Sequence, residues 1–155
     1  MCVGVALAWS ELPTEMKGRS SFRRRVYHRD GRRELWFLYR DRQPRLPVWR
    51  DGQLICARWG NGRGQSRVLP RTGWTWLATV ESGYWNAIGA VAVDIPAAMG
   101  YDGGVWYHLR QGIRGILVPD ERGWAVCYMI CEPASHYYQV MTRSRRMPLF
   151  IGETI

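Results

Sequence analysis

The sequence predicts a compact, mainly β domain of the α+β type, with short strands and few helices. Its apolar runs are short and are separated by turns rich in Gly, Pro and Asp. The 17 Gly and 8 Pro residues are spread along the 155-residue chain, which suits many turns. Leu12-Pro13 excludes a long helix at that point. A chain of this length favours a single domain, spanning 1–155.

The predicted strands follow one another with short turns between them. In order, they cover residues 2–9, 35–39, 53–59, 74–80, 87–93, 105–109, 113–118, 124–131 and 136–141. The third strand leads into a Gly-rich turn at 59–64, and the tetrapeptide at 101–104 is typical of a hairpin turn. One helical turn is expected over 13–17, opened by Ser10. No repeat and no domain boundary interrupts this series.

The charge of the chain is uneven and is carried almost entirely by arginine. Of the 22 basic residues, 21 are Arg, and the formal net charge is +9. Residues 1–75 hold 16 basic and 6 acidic residues, with the excess concentrated in the basic region 19–71, whereas residues 76–155 hold 6 basic and 7 acidic residues. Arg pairs with phosphate oxygens and stacks on flat rings, and the nine Trp residues offer stacking faces to bases. A GC-rich genome would also raise the Arg count, but it does not explain the Trp count.

The densest basic segment, 19–33, interleaves arginines with Phe22 and Tyr27. This pattern favours a polyanion whose bases can stack, such as single-stranded DNA or RNA. The alternative is a solvated loop that keeps the protein soluble. We expect Trp59 to stack on DNA and nine arginines to contact phosphates. These are Arg23, Arg24, Arg25, Arg63, Arg67, Arg71, Arg143, Arg145 and Arg146.

Other classes of protein are disfavoured. The first ten residues lack a basic region and a cleavage site, and no apolar run approaches the roughly 20 residues of a membrane-spanning helix. A cytoplasmic, nucleoid-associated monomer with no membrane contact is therefore expected, and its four cysteines should be free thiols. Cys127, Cys131 and His136 lack the second ligand pair of a structural zinc site, so neither a metal nor another cofactor is expected.

Cys2 is the candidate nucleophile. Cysteine is small enough for a methionine aminopeptidase to remove a preceding Met1. Removal would leave a thiol and a free α-amine two carbons apart, and the α-amine is a nucleophile near neutral pH. Such a 1,2-aminothiol condenses with an aldehyde: the amine forms an imine, and the thiol closes it to a five-membered thiazolidine.

Five motifs in a fixed order resemble one family. They are Met1-Cys2-Val3-Gly4, Trp59-Gly60, Ala78-Thr79-Val80-Glu81-Ser82, Ile95-Pro96-Ala97-Ala98-Met99-Gly100-Tyr101-Asp102 and Arg146-Met147-Pro148-Leu149-Phe150-Ile151. These are similar to the Met-Cys-Gly-Arg start, the WG turn, and the NAR-x-E-T, PADG-[FW]-[FY]-EW and HDRMP motifs of the SRAP (SOS-response-associated peptidase) family. That family includes abasic-site sensors that crosslink to single-stranded DNA. The resemblance implies a shortened, divergent SRAP-like domain.

The resemblance also implies roles for individual residues. Cys2 would attack the ring-opened aldehyde of an abasic site, and Asp102, at the family's glutamate, would orient the amine or move its proton. Ser144 stands where the family has its histidine, and His136 is the candidate to replace that histidine. The family's asparagine falls on Leu77. Its other chemistry, release of the residues before the cysteine as an autopeptidase, would have only Met1 to remove here.

Three functions remain open at this point. The first is covalent capture of abasic sites in single-stranded DNA through Cys2. The second is a non-catalytic relative that keeps only salt-sensitive DNA binding. The third is a phage or mobile-element accessory protein with a protein partner, in which the basic segment is only a solvated loop.

Overall fold

The computed structural model of the protein describes residues 1–152. Strands make up 44% and helices 17%, so the predicted mainly β class is confirmed. The last three residues of the domain predicted over 1–155 lie outside the described residues.

Residues 1–152 form twelve strands joined by short turns. They are β1 (Gly4–Ala8), β2 (Val26–Arg29), β3 (Arg32–Leu38), β4 (Arg45–Arg50), β5 (Gln53–Trp59), β6 (Trp74–Trp76), β7 (Val91–Pro96), β8 (Met99–Asp102), β9 (Val105–His108), β10 (Gly112–Pro119), β11 (Ala125–Pro133) and β12 (Arg146–Pro148). The helices of the same residues are short. They are a 3-10 turn (Trp9–Glu11), α1 (Thr14–Lys17), α2 (Ser20–Arg23), α3 (Leu77–Glu81), α4 (Tyr84–Ala87) and α5 (His136–Thr142).

The strands form two sheets. The first is five-stranded, with the antiparallel order β2-β3-β1-β8-β9. The second has the order β10-β7-β4-β5-β11-β12, and β6 pairs with β11. Because β10 also pairs with β11, the strands from β10 to β11 close into a barrel. Closure pairs strand edges that would otherwise be open to association.

The main apolar core lies between the inner face of the five-stranded sheet and the barrel. On β1, Val5 and Leu7 alternate with outward-facing Gly4 and Ala6, because successive side chains of a strand point to opposite faces. Val5 lies beside Phe37 of β3. The same core contains the completely buried side chains of Cys2, Phe22, Leu46, Val48, Ile95, Ile113 and Met129.

Two segments predicted as strands are helical instead. β6 ends at Trp76, and the residues after it form α3, whose Leu77 and Val80 pack against a second, smaller core. The segment 136–141 falls within α5, which begins after Ser135. The Ser135 hydroxyl accepts a hydrogen bond from the Tyr138 amide and thereby caps the helix. Apolar residues three or four positions apart lie on one face of a helix. Both helices are too short for this spacing to be distinguished in the sequence from the alternation of a strand.

The basic segment is folded, so its interpretation as a solvated loop is wrong. It forms α2, the strand β2 and the start of β3. Phe22 of α2 is completely buried and meets the Phe37 ring edge-on at 6.3 Å. Arg23, Arg29, Arg32 and Arg33 therefore lie on regular structure, and Arg24 and Arg25 lie in the turn between α2 and β2.

Candidate functional site

Polar groups surround the N-terminus and form what we call the N-terminal cluster: Met1, Cys2, Asp102, Tyr138 and Ser144. The Met1 α-ammonium lies 3.0 Å from Asp102 Oδ1 and 2.9 Å from Oδ2, and it also donates to the Ser144 hydroxyl oxygen. The Ser144 hydroxyl donates to Asp102 Oδ1 at 2.7 Å, and the Tyr138 hydroxyl donates to Oδ2 at 2.8 Å. Asp102 is only 3% exposed. These donors compensate for the cost of burying its carboxylate.

A tight hairpin places Asp102 in the cluster. Asp102 pairs with Val105, and Gly103 and Gly104 between them have φ angles of +57° and +80°, so the hairpin predicted at 101–104 is confirmed. A Cβ on Gly103 would lie 2.0 Å from the Thr142 carbonyl oxygen. Only glycine allows the hairpin tip to approach the end of α5 this closely.

The C-terminal end of α5 supplies the hydroxyls. Tyr138 and Thr142 are four residues apart, so both face the protein interior. Arg143 follows with φ +64° and ends the helix. This left-handed residue reverses the chain, so that the Ser144 amide donates to the Thr142 hydroxyl and the Ser144 side chain points at Asp102.

The Cys2 thiol is completely buried beneath the N-terminus. It donates to the Gly4 carbonyl at 3.2 Å, while the Trp74 indole N–H donates to the Cys2 carbonyl at 3.0 Å. Burial raises the pKa of the Cys2 thiol, and hydrogen bonding by Tyr107 opposes this rise. With Met1 in place, the sulfur is therefore held in the protonated form and out of contact with solvent.

Two tyrosines connect this sulfur with the carboxylate. The Tyr107 and Tyr138 hydroxyl oxygens lie 3.1 Å apart, and Tyr138 donates onward to Asp102. Burial raises the pKa of both phenols, so both remain protonated donors near neutral pH. The sequence did not single out either residue, because 136–141 has the alternation of a strand and because Tyr107 lies in an ordinary apolar run.

His136 does not contact the cluster, so its predicted role as the replacement for the family's histidine is wrong. It is exposed at the start of α5, two residues before Tyr138. Two residues correspond to about 200° around a helix, so the two side chains point in nearly opposite directions. Cys2, Asp102 and Ser144 do come together, so Ser144 rather than the histidine contacts the carboxylate.

A basic groove lies beside the Gly-rich turn, and we call it the turn groove. Its volume is about 710 Å³, and its lining includes Tyr39, Arg45, Arg58, Arg63, Arg122 and Trp124. The Trp124 side chain is 61% exposed. Arg58 pairs with Asp120 at 3.1 Å, yet its buried Nε has no hydrogen-bond partner among the described residues. The turn groove therefore combines an open indole face with guanidinium groups.

A second basic groove adjoins the first, and we call it the arginine groove. Its volume is about 770 Å³, and its lining includes Arg24, Arg25, Tyr27, Trp36, Asp41, Arg42, Arg45 and Cys56. Gln43 and Arg45 line both grooves, so the two are neighbours. Arg25 pairs with Asp41 at 3.0 Å and lies 5.2 Å from the centre of the Phe37 ring.

Trp59 is a core residue, and its predicted role as a base-stacking side chain is wrong. It is 1% exposed, and its indole N–H donates to the Gly73 carbonyl at 3.1 Å. Its ring meets those of Tyr39 and Trp74 at centroid distances of 5.2 and 5.9 Å. Trp124 is the exposed indole of the same groove.

The predicted phosphate-binding arginines lie in three places. Arg24 and Arg25 line the arginine groove, with exposed Arg23 nearby in sequence, and Arg63 lines the turn groove. Four of the other predicted phosphate-binding arginines are exposed on the surface outside both grooves: Arg67, Arg71, Arg143 and Arg145. Arg146 lies 5.3 Å from the centre of the half-exposed Trp76 ring.

Arg146 also lies within electrostatic reach of the N-terminal cluster. Burial raises the pKa of Cys131 to about 11, and both Arg146 and the chain's α-ammonium oppose that rise. Cys131 thus faces two positive charges, one from β12 and one from the cluster.

The four cysteines are free thiols, as expected, and they differ in exposure. Cys2, Cys127 and Cys131 are buried, whereas Cys56 is half-buried in the arginine groove. Within residues 1–152, no group of three or more His, Cys, Asp or Glu residues is placed to hold a metal ion. In the same range, no helix has the length and apolar character needed to span a membrane.

This difference in exposure predicts the order of thiol modification. In native protein that retains Met1, maleimide should label Cys56 and should spare Cys2, Cys127 and Cys131 until the protein unfolds, because a thiolate must form and be reached. Burial raises the pKa of Cys56, and Arg25 and Arg45 oppose the rise, so labelling should speed up as pH increases above neutral. Peptide mass mapping before and after urea treatment checks the order. Rapid native labelling of Cys2 would contradict the buried position of its sulfur.

No family model, curated protein or solved structure matches this chain. The resemblance between its motifs and those of the SRAP family therefore stays a prediction.

Proposed function

We propose that this protein binds single-stranded DNA and, after removal of Met1, captures abasic sites through Cys2 as a thiazolidine. One observation carries the proposal: the Met1 α-amine contacts both oxygens of buried Asp102 beside the buried thiol of Cys2, so the carboxylate lies where the chain's free amine is held. An amine, a thiol and a proton-accepting carboxylate are the groups that thiazolidine formation uses. The motif resemblance assigns roles to the same two positions, Cys2 and Asp102.

The proposed reaction needs no cofactor. The α-amine of Cys2 attacks the aldehyde carbon of the ring-opened sugar, and loss of one water gives an imine. The thiol then adds to the imine carbon, so that a C–S bond forms and the thiol proton ends on nitrogen. Asp102 accepts a proton from the ammonium, which frees the nitrogen lone pair, and delivers it to the departing hydroxyl.

The surroundings of the thiol support a proton path. Tyr107 and Tyr138 form a hydrogen-bonded connection to Asp102, 3.1 Å between the phenols and 2.8 Å to the carboxylate. Met1 occupies the position beside Asp102 that the new terminus and the sugar require. Hydrolysis of the Met1–Cys2 peptide bond would turn the Cys2 nitrogen into the free α-amine, two carbons from the sulfur, so that a five-membered ring can close with the aldehyde carbon.

The charge of the surface supports a DNA partner. The turn groove and the arginine groove are neighbours. Both are lined by arginines, and few carboxylates lie beside those arginines. Asp41 and Asp120 are each paired with one arginine, which leaves Arg24, Arg42, Arg45, Arg63 and Arg122 without an ion pair among the described residues. Guanidinium groups along a groove attract the phosphates of a single strand.

The test is the formation of a covalent adduct with abasic single-stranded DNA. Protein whose intact mass shows loss of Met1 is incubated with an oligonucleotide that carries one abasic site and is then denatured. We expect an adduct with the summed mass less one water. Cys2→Ser, which keeps the amine but lacks the thiol, should form only an imine, so its adduct should appear after borohydride reduction and not without it.

A second function has its own supporting observation. With Met1 retained, the thiol is completely buried and the ammonium is already paired with Asp102, which suits a DNA-binding protein without covalent chemistry. This function predicts salt-sensitive DNA binding that Cys2→Ala leaves unchanged. It also predicts that protein without Met1 forms no adduct with abasic DNA.

For the first function, an equally stable adduct from Cys2→Ser without borohydride would contradict the thiazolidine.

A further inference from the structure

A row of aromatic rings crosses the outer face of the five-stranded sheet. Tyr27 stacks on Trp36 at a centroid distance of 4.2 Å with an interplanar angle of 10°. Trp36 lies 4.9 Å from Trp106, which lies 4.8 Å from Tyr101. The rings come from β2, β3, β9 and β8, so the row extends across the whole sheet.

The central strand makes this row continuous. β1 places only the small residues Gly4, Ala6 and Ala8 on this face, with Ala6 opposite Trp36 and Gly4 opposite Tyr101. Because these residues are small, the rings from the two sides meet over β1. A Cβ on Gly4 would lie 2.6 Å from Leu38 Cδ2, so this position has no room for a larger residue unless Leu38 moves.

The row is covered in its middle and open at one end. The Arg29 guanidinium lies 5.4 Å from the Trp36 ring centre and 4.6 Å from that of Trp106, and its Nε donates to Glu34 at 2.7 Å. Tyr27, in contrast, is 44% exposed. The free stacking face of the row is therefore the outer face of Tyr27.

This open end lies in the arginine groove. Tyr27 and Trp36 line the groove together with Arg24, Arg42 and Arg45. The carboxylate in its lining, that of Asp41, already accepts hydrogen bonds from Arg25 at 3.0 Å and from the Leu38 amide at 3.2 Å. The groove is thus positively charged beside a flat ring, which is the combination that a nucleotide of an unpaired strand requires.

We propose that Tyr27, backed by Trp36, stacks a base of single-stranded DNA while Arg24 and Arg42 bind its phosphates. The choice of DNA as ligand rests on the proposed function. The location of the stacking site does not rest on the covalent chemistry, because the arginine groove shares no residue with the N-terminal cluster. Stacking tolerates any base, so this site would hold the strand without reading its sequence.

The first test measures equilibrium binding of the full chain to a fluorescent oligothymidylate of about 12 nucleotides that has no abasic site. Tyr27→Ala should weaken binding about tenfold, and Tyr27→Phe should keep it, because the ring rather than the hydroxyl stacks. Tyr84→Ala is the matched control: Tyr84 is 45% exposed on α4, outside both grooves, and its replacement should change affinity less than twofold.

The second test uses Cys56 as a reporter, because it lines the same groove. Saturating oligothymidylate should slow maleimide labelling of Cys56 several-fold. Arg42→Ala should lower the salt dependence of log K by about one, as expected for the loss of one phosphate contact. Arg114→Ala, at an exposed position of β10 outside both grooves, should leave the salt dependence unchanged.

The outcomes separate this inference from the proposed function. Unchanged affinity in Tyr27→Ala, or unchanged labelling of Cys56 under saturating DNA, overturns the stacking site even if the Cys2 adduct forms. Weaker binding in Tyr27→Ala without any adduct supports the stacking site and removes the covalent chemistry. Failure of the wild-type protein to bind single-stranded DNA at any salt concentration overturns both.

Discussion

Asp102→Asn is expected to slow adduct formation with abasic single-stranded DNA by about 100-fold or more, since a positioned acid–base group typically contributes at least that factor. The carboxylate contacts the Met1 α-amine with both oxygens, at 3.0 and 2.9 Å, and we expect it to serve the Cys2 α-amine in the same way once Met1 is removed. An amide of the same size can accept a hydrogen bond from one of the Tyr138 and Ser144 hydroxyls and donate to the oxygen of the other, but it cannot take the proton from the ammonium. Single-turnover kinetics on denaturing gels give the rate.

Two controls separate this chemical role from a structural one. Affinity for an oligonucleotide without an abasic site should stay within about twofold in Asp102→Asn, because the carboxylate lies outside both grooves. Asp102→Glu keeps the charge and should retain more of the rate than the amide does. A wild-type rate in a folded Asp102→Asn protein would remove Asp102 from the reaction and, with it, the observation on which the proposed function rests.

Trp59→Ala is expected to lower the free energy of unfolding by about 3–5 kcal/mol, the range found when a buried large aromatic side chain is truncated. Trp59 is 1% exposed, and its ring touches those of Tyr39 and Trp74. The substitution also leaves the Gly73 carbonyl without the indole donor. Urea unfolding followed by circular dichroism measures the loss.

Two control variants are matched to Trp59→Ala: one removes an exposed indole, and the other replaces the buried indole with a smaller ring. Trp124→Ala, at a position 61% exposed, should change stability by about 0.5 kcal/mol or less. Trp59→Phe should restore most of the stability and should bind single-stranded DNA with an affinity within about twofold of wild type. A Trp59→Phe protein that is stable yet binds DNA tenfold more weakly would return Trp59 to the DNA-binding surface.

The local sequence predicted several elements well. β5 covers the predicted segment 53–59, and the hairpin at Gly103-Gly104 forms where the turn residues indicate it. Both depend on interactions between chain neighbours: the alternation of side chains and the positive φ that glycine permits. β4 was not predicted, because Pro47 interrupts its pattern. In the structure, Pro47 lies opposite Cys56 within the barrel.

The candidate site was predicted in part. Cys2, Asp102 and Ser144 were indicated by motif positions, and they meet in the N-terminal cluster. His136 was chosen by residue type and distance along the chain, and it points outward, whereas Tyr138 reaches the carboxylate. On a helix, side chains two residues apart point in nearly opposite directions. Only the cap at Ser135 and the packing of α5 determine which of the two, His136 or Tyr138, faces inward.

By itself, the sequence determined the mainly β class, the Arg-rich first half and the two groups, Cys2 and Asp102, on which the proposed chemistry depends. The class and the charge follow from composition, alternation and turns, which are local, whereas Cys2 and Asp102 were indicated by the motif resemblance. The tertiary structure alone decided that Trp59 is buried while Trp124 is open, and that aromatic rings from four strands join over Gly4 and Ala6. Burial and ring contact depend on which distant strands pair, and the same local pattern is compatible with either outcome.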